Sequence, residues 1–168
     1  MGGEWAEAVV PGRPEVSGGA VTGEPGAGAA IMKAGGDGIR PVSLELGGKN
    51  AARVFADCDV DNAVATVTRS CFESAGQVCL GTERVYVQRP IFDRFVAALK
   101  ARAEALKPGP SEEPGVGLGP LISREHQQKV LSYYERAVKE GATVVTGGGV
   151  PAMQGALAEG NWVQPTIC

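Results

Sequence analysis

Read from its N-terminus, the chain gives little periodicity for residues 1–19, where prolines and glycines dominate and a loop is expected. Residues 21–28 form a glycine-rich turn, and Ala29 to Ala34 favour a helix that Gly35 and Gly36 would end. Residues 42–46 alternate apolar and polar side chains, as a short strand does, and Gly47-Gly48 breaks the pattern. A second strand is expected over 52–56. Asp59 or Asp61 can then cap a helix over 62–74 with Ala63, Val64, Val67, Cys71 and Ala75 on one face. β-Branched and aromatic residues mark a strand over 84–88. Pro90 opens an amphipathic helix to Leu106 that turns Phe92, Phe95, Val96, Leu99 and Ala103 inward. A Pro/Gly loop over 107–119 precedes a helix over 124–140 that buries Val130, Tyr133, Tyr134 and Ala137. Strands over 143–146 and 162–166 complete the pattern.

Helices that separate strands require crossover connections, so the pattern predicts an α/β fold with a largely parallel sheet. No internal repeat is present. The end at Ile167-Cys168, without a cap or polar tail, reads as a truncation.

Composition narrows the function classes. With 43% hydrophobic and 21% charged residues in 168, the chain has the make-up of a globular domain. A net charge of −3 gives no footprint for nucleic acid or an anionic membrane, and no apolar run could span a bilayer. Without a secretory leader a cytoplasmic protein is expected. Cys58, Cys71, Cys79 and Cys168 fit no zinc spacing, and His126 is the single histidine, so no metal site is expected and the thiols are read as free. Cys58 and Cys71 are expected to be inert. His126 and the charges over 100–107 belong to solvated helix faces.

Two segments carry chemistry. Cys79 follows a helix end and lies between Gly76 and Gly81, which gives a thiol the access a nucleophile needs; a small buried hydrophobe is the plain alternative. Glu45 sits within an apolar strand beside Gly47-Gly48. Burial there would suit a general base, whereas an edge strand would place the same carboxylate in solvent.

The segments Leu44-Glu45-Leu46-Gly47-Gly48-Lys49-Asn50 and 76–87 resemble the two signature segments of the aldehyde dehydrogenase superfamily, with the thiol 34 positions after the carboxylate. The likeness extends over nearly the whole chain from Gly19. It implies that fold, with residues 1–46 as the end of a dinucleotide-binding domain and 47–168 as the first part of the catalytic, cysteine-bearing domain. It also implies that Cys79 attacks an aldehyde, that hydride passes to NAD or NADP, and that Glu45 activates water to hydrolyse the thioester. The family's oxyanion donors are the cysteine's backbone N–H and an asparagine from a segment preceding those present here.

In the same way Gly23, Glu24, Gly28, Leu46 and Gly47 are implied to bind the cofactor. The turn from Gly23 to Gly28 matches the family's phosphate-contacting turn at a helix N-terminus. Val21 and Glu24 depart from the phenylalanine and serine common there. Within the superfamily, Gly48 to Ala52, Glu83 to Val87, Pro90 to Phe92, Val130 to Tyr134 and residues 141–151 resemble the 2-hydroxymuconic semialdehyde dehydrogenases of catechol meta-cleavage, most of these positions reading as structural. Aminomuconic semialdehyde and betaine aldehyde are the alternative substrates. Full-length members are considerably longer and homo-oligomeric, so the small-molecule aldehyde and further copies of the chain are the expected partners. An inactive remnant with a binding role stays open. A cofactor-free cysteine acyl transferase is disfavoured by the single histidine, far from Cys79 in sequence.

Overall fold

The structure, a computed structural model, describes residues 13–168. The loop expected over 1–19 lies in part outside the described residues. From Arg13 to Gly18 it is turn and coil, and a strand, β1 (Gly19–Thr22), follows. The chain divides into two compact units at Gly48/Lys49.

The first unit is a βαβ arrangement. β1 leads through Gly23 and Glu24 into helix α1 (Pro25–Gly36), which returns to β2 (Val42–Glu45). The two strands pair in parallel from Gly19↔Val42 to Thr22↔Glu45. Residues 19–22 form a strand because β2 offers hydrogen bonds, which their own composition does not announce. Helix α1 also starts earlier than expected, with Pro25 in its first turn, where the missing N–H costs nothing. The helix lies close on β2 at two glycines. A Cβ at Gly28 would come within 2.9 Å of Leu46 Cδ2, and one at Gly35 within 2.9 Å of Val42 Cγ2.

The second unit opens with β3 (Asn50–Val54), then α2 (Val60–Phe72), β4 (Thr82–Val87) and α3 (Phe92–Glu104), the last preceded by a 3₁₀ turn at Arg89–Ile91. β3 and β4 pair in parallel, with Ala52↔Val85 and Val54↔Val87 in register. Their inward side chains meet α2 and α3 in one cluster of Val54, Val60, Val64, Val67, Phe95 and Leu99, with Phe95 fully buried. Burying each of these apolar side chains contributes about 1.5–3 kcal/mol, which fixes the strand pair and the helices that flank it as a frame. Asp59, not Asp61, caps α2; its carboxylate accepts from the N–H groups of Asp61 and Asn62 at 3.1 Å each.

Beyond this frame, β5 (Lys107–Pro108) and β6 (Val116–Leu118) form a short parallel pair inside the stretch expected to be loop. α4 (Arg124–Lys139) and a 3₁₀ turn at Gly155–Glu159 follow.

Four expectations are corrected. The parallel strands are three separate pairs among the described residues, not one sheet. Phe92 is exposed at the head of α3, because Ile91 from the preceding turn packs on the core in its place. No residue of α4 is fully buried: Val130, Tyr134 and Ala137 are half covered, and Tyr133 is exposed beneath the Arg136 guanidinium, 5.3 Å from its ring centroid. The last two strands reduce to a single antiparallel bridge, Thr146↔Ile167, since left-handed Gly147 and Gly148 turn the chain away from the ladder.

Candidate active site

α2 ends at Phe72, sooner than its sequence pattern suggests. Ser74 (φ 52°, ψ 35°) and Ala75 (φ 56°, ψ 31°) are left-handed, and Gly76 continues the turn at φ 76°. Two consecutive non-glycine residues in this region cost about 1–2 kcal/mol each, so the surrounding contacts must hold them there. Ala75, expected on the buried face of the helix, belongs instead to this turn.

Those contacts close the loop at its base. Ser70, in the last turn of α2, shares a 2.8 Å hydrogen bond with the Thr82 hydroxyl, and its Oγ accepts from the Thr82 N–H at 3.2 Å. Residues 73–81 are therefore a compact loop whose ends meet, a construction often used to present a functional group. Within it the Gly81 N–H donates to the Val78 carbonyl at 2.9 Å. Gly81 is buried, and a Cβ there would stand 3.0 Å from the Val78 oxygen and 3.2 Å from that of Ser70. Cys79 lies at the exposed outer side of this turn, followed by Leu80, 81% exposed. Of the four thiols, Cys58 and Cys71 are half-buried and Cys168 is exposed at the last position. Burial pushes the Cys71 thiol up to about 11, which favours its protonated, less nucleophilic form.

A third anchor comes from β3. The Asn50 side-chain N–H₂ donates to the Cys79 carbonyl at 2.7 Å and to the Gly81 carbonyl at 3.3 Å. Asn50 is itself placed by its neighbours. Arg84 Nε and Nη2 both donate to the Lys49 carbonyl, at 3.0 and 2.8 Å, and the Lys49 ammonium pairs with Glu83. The strand register slips here: Asn50 opposes Thr82 while Ala51 opposes Arg84, so Glu83 is left over as a bulge. Such an irregularity re-aims side chains at the end of a ladder. Sequence reasoning took Asn50 and Arg84 as structural members of a motif; only the pairing of β3 with β4 brings them to the cysteine loop.

The first unit holds the other candidate residues. Glu45 is the last residue of β2, and its carbonyl accepts from the Gly23 N–H at 3.0 Å. Its side chain is exposed, so the burial that the apolar strand suggested is not found; in the i-e-i-e alternation of β2, Val42 and Leu44 take the covered positions. Leu46 packs over Gly28, whereas Gly47 stands open, with nothing near a Cβ. At the head of α1, the backbone N–H groups of Gly26 and Ala27 precede the first intrahelical bond, from Gly28 to Glu24. Glu24 is the N-cap residue yet makes no side-chain cap, and no acidic residue follows in the first turn. Its Oε1 reaches back to within 3.6 Å of where a Gly26 Cβ would be. Among the described residues there is no group of three or more His, Cys, Asp or Glu able to hold a metal, and no helix is long and apolar enough to cross a membrane.

Comparisons with known proteins bear on this arrangement. The family described as "Aldehyde dehydrogenase family" matches residues 2–168. The chain is 60% identical over 167 residues to the 2-hydroxymuconic semialdehyde dehydrogenase of Pseudomonas sp. (strain CF600), an overlap of 99% of this chain and 34% of that protein. It is 51% identical over 154 residues to a 2-aminomuconic 6-semialdehyde dehydrogenase of Pseudomonas sp, covering 92% of this chain and 31% of that one. Among solved structures, betaine aldehyde dehydrogenase from Staphylococcus aureus in complex with NAD+ superposes with a TM-score of 0.89 at 37% identity, over 99% of this chain and 32% of that one. The chain thus spans about a third of the length of the curated relatives it matches.

Proposed function

The chain belongs to the aldehyde dehydrogenase family and has that family's α/β fold; on that premise we propose that it is part of an enzyme that oxidises an aldehyde to a carboxylic acid, with Cys79 as nucleophile. The observation that carries this is the placement of Cys79, an exposed thiol on a loop closed at its base by Ser70–Thr82 and tied down beside the thiol itself by Asn50.

In this proposal the Cys79 thiolate adds to the aldehyde carbonyl to give a thiohemiacetal. The Cys79 backbone N–H stabilises the oxyanion that forms. A nicotinamide dinucleotide, when bound, supplies the hydride acceptor that takes this adduct to a thioester. Glu45 then takes a proton from water, whose oxygen attacks the thioester; the acid leaves and the thiol is regenerated. The exposed carboxylate of Glu45 is reachable by water, as that step requires.

The head of α1 fits a dinucleotide: uncapped N–H groups and the positive end of the helix face outward, and Gly28 lets the helix sit tightly on Leu46. Gly23, Glu24, Gly28, Leu46 and Gly47 are the residues assigned to it, and NAD is the cofactor assigned, the dinucleotide with which the Staphylococcus aureus relative was solved. Residues 1–46 are assigned to the end of the cofactor-binding domain and 47–168 to the catalytic domain. The substrate assigned is 2-hydroxymuconic semialdehyde, by likeness to the Pseudomonas enzyme; a cytoplasmic homo-oligomer is assigned from the family resemblance alone.

The test follows NADH formation from 2-hydroxymuconic semialdehyde by the full-length protein that carries this chain. Cys79→Ser is expected to lower the rate by at least about 10³-fold. Glu45→Gln is expected to keep the first turnover and accumulate acyl-enzyme. A Cys79→Ser enzyme with wild-type activity would remove the nucleophile assignment, and unchanged deacylation in Glu45→Gln would remove the base.

A further inference from the structure

We propose that Asn50 is a positioning residue for Cys79: its carboxamide fixes the peptide group after the thiol, so that thiol and backbone N–H are presented together. This rests on the assignment of Cys79 as nucleophile.

Both partners of the Asn50 side chain are carbonyl oxygens, of Cys79 and Gly81, so the amide must turn its N–H₂ toward them. One peptide group beside the thiol is thereby held by its oxygen. The other, between Val78 and Cys79, is held by the Gly81 N–H on the Val78 oxygen at 2.9 Å. In a trans peptide the N–H points opposite to the C=O. Anchoring the Val78 oxygen inward therefore turns the Cys79 N–H away from the turn, where it meets no partner among the described residues. A donor aimed at open space beside a thiol is what a developing oxyanion needs.

Asn50 suits the task because its own backbone is fixed. Arg84 clamps the preceding carbonyl with two N–H groups, and the residue pairs with Thr82 at the slip in register. Its single methylene leaves two donors within reach of two acceptors. Aspartate has the same shape but, ionised, offers no donor and would place charge against both carbonyls. Glutamine keeps both donors, and the exposed position has room for the added methylene.

The experiment compares wild type, Asn50→Asp and Asn50→Gln in the full-length enzyme by pre-steady-state NADH burst and by iodoacetamide alkylation mapped to each cysteine. Misplacing a reacting group by about 1 Å costs on the order of 100-fold, so the burst rate constant is expected to fall about 10- to 100-fold in Asn50→Asp. The burst amplitude and the NAD dissociation constant are expected to hold, and Asn50→Gln to regain most of the rate. Alkylation of Cys79 is expected to slow in parallel, because only the fraction of loops presenting the thiol reacts, while the half-buried Cys71 labels as in wild type. A lower amplitude at unchanged rate constant would mark a purely structural role and overturn the proposal. So would a wild-type burst in Asn50→Asp, or faster labelling of Cys71 together with unchanged labelling of Cys79. If the wild-type enzyme oxidises no aldehyde, the dehydrogenase proposal fails, and the alkylation measurements alone decide the role of Asn50.

Discussion

The Asn50 side-chain amide donates to the Cys79 carbonyl at 2.7 Å, across 29 positions of sequence. One residue begins a strand; the other stands on the loop leading into the strand paired with it. The pairing of β3 with β4 thus sets the geometry of the thiol, and changes in the loop should be felt in rate before they are felt in fold.

Gly81 is the first case. A Cβ there would press on the carbonyl oxygens of Val78 and Ser70, both backbone atoms that cannot rotate away. Gly81→Ala is expected to destabilise the protein by about 1–3 kcal/mol. It should also slow the NADH burst by shifting the turn that carries Cys79. Denaturant unfolding and stopped-flow measurements read the two effects; a variant with both values unchanged would show that the turn is not held as described.

Ala75 separates stability from activity. Its left-handed backbone carries strain of about 1–2 kcal/mol, which glycine would relieve at an entropic cost of about 0.5–1 kcal/mol. Ala75→Gly is therefore expected to raise stability by up to about 1.5 kcal/mol, the largest difference of those terms. The looser loop should lower the burst rate. A loss of stability in chemical denaturation would contradict the strained conformation.

Glu24 bears on the cofactor. Its carboxylate lies beside the head of α1, where an anionic ligand would gain from the helix N-terminus. Glu24→Gln removes that charge but keeps the backbone of the turn, through which the residue is assigned to the cofactor, and is expected to tighten NAD binding about 2- to 5-fold, the equivalent of about 0.3–1 kcal/mol. Titration calorimetry measures it, and weaker binding would mean that Glu24 contacts the cofactor favourably.

Cys71 predicts a pH dependence. Burial raises its thiol from 9.0 to about 11, so the folded state keeps a proton that the unfolded chain releases first. Its contribution is fully present below pH 9 and is lost as pH rises through about 11. Urea midpoints should fall over that window, and less so in Cys71→Val. An equal fall in the variant would assign the effect to other groups.

The local pattern alone announced α2, α3 and α4, because each helix carries its period and a start or stop signal within one stretch: Asp59 before α2, Pro90 before α3, Gly141 after α4. Cys79 and Glu45 are singled out by the resemblance of their two segments to a family signature, which is also a property of sequence. What the local pattern could not contain was anything made between distant stretches. β1 exists only because β2 pairs with it, the burial of Ile91 rather than Phe92 depends on where α3 meets the core, and Glu45 is exposed because of the side of β2 on which it falls. Asn50 illustrates the division best. Its place in the motif is local, but its hydrogen bonds to Cys79 and Gly81 arise from a strand pairing with a one-residue slip. Residue identity limits which donors and nucleophiles are present; only long-range packing decides which of them meet.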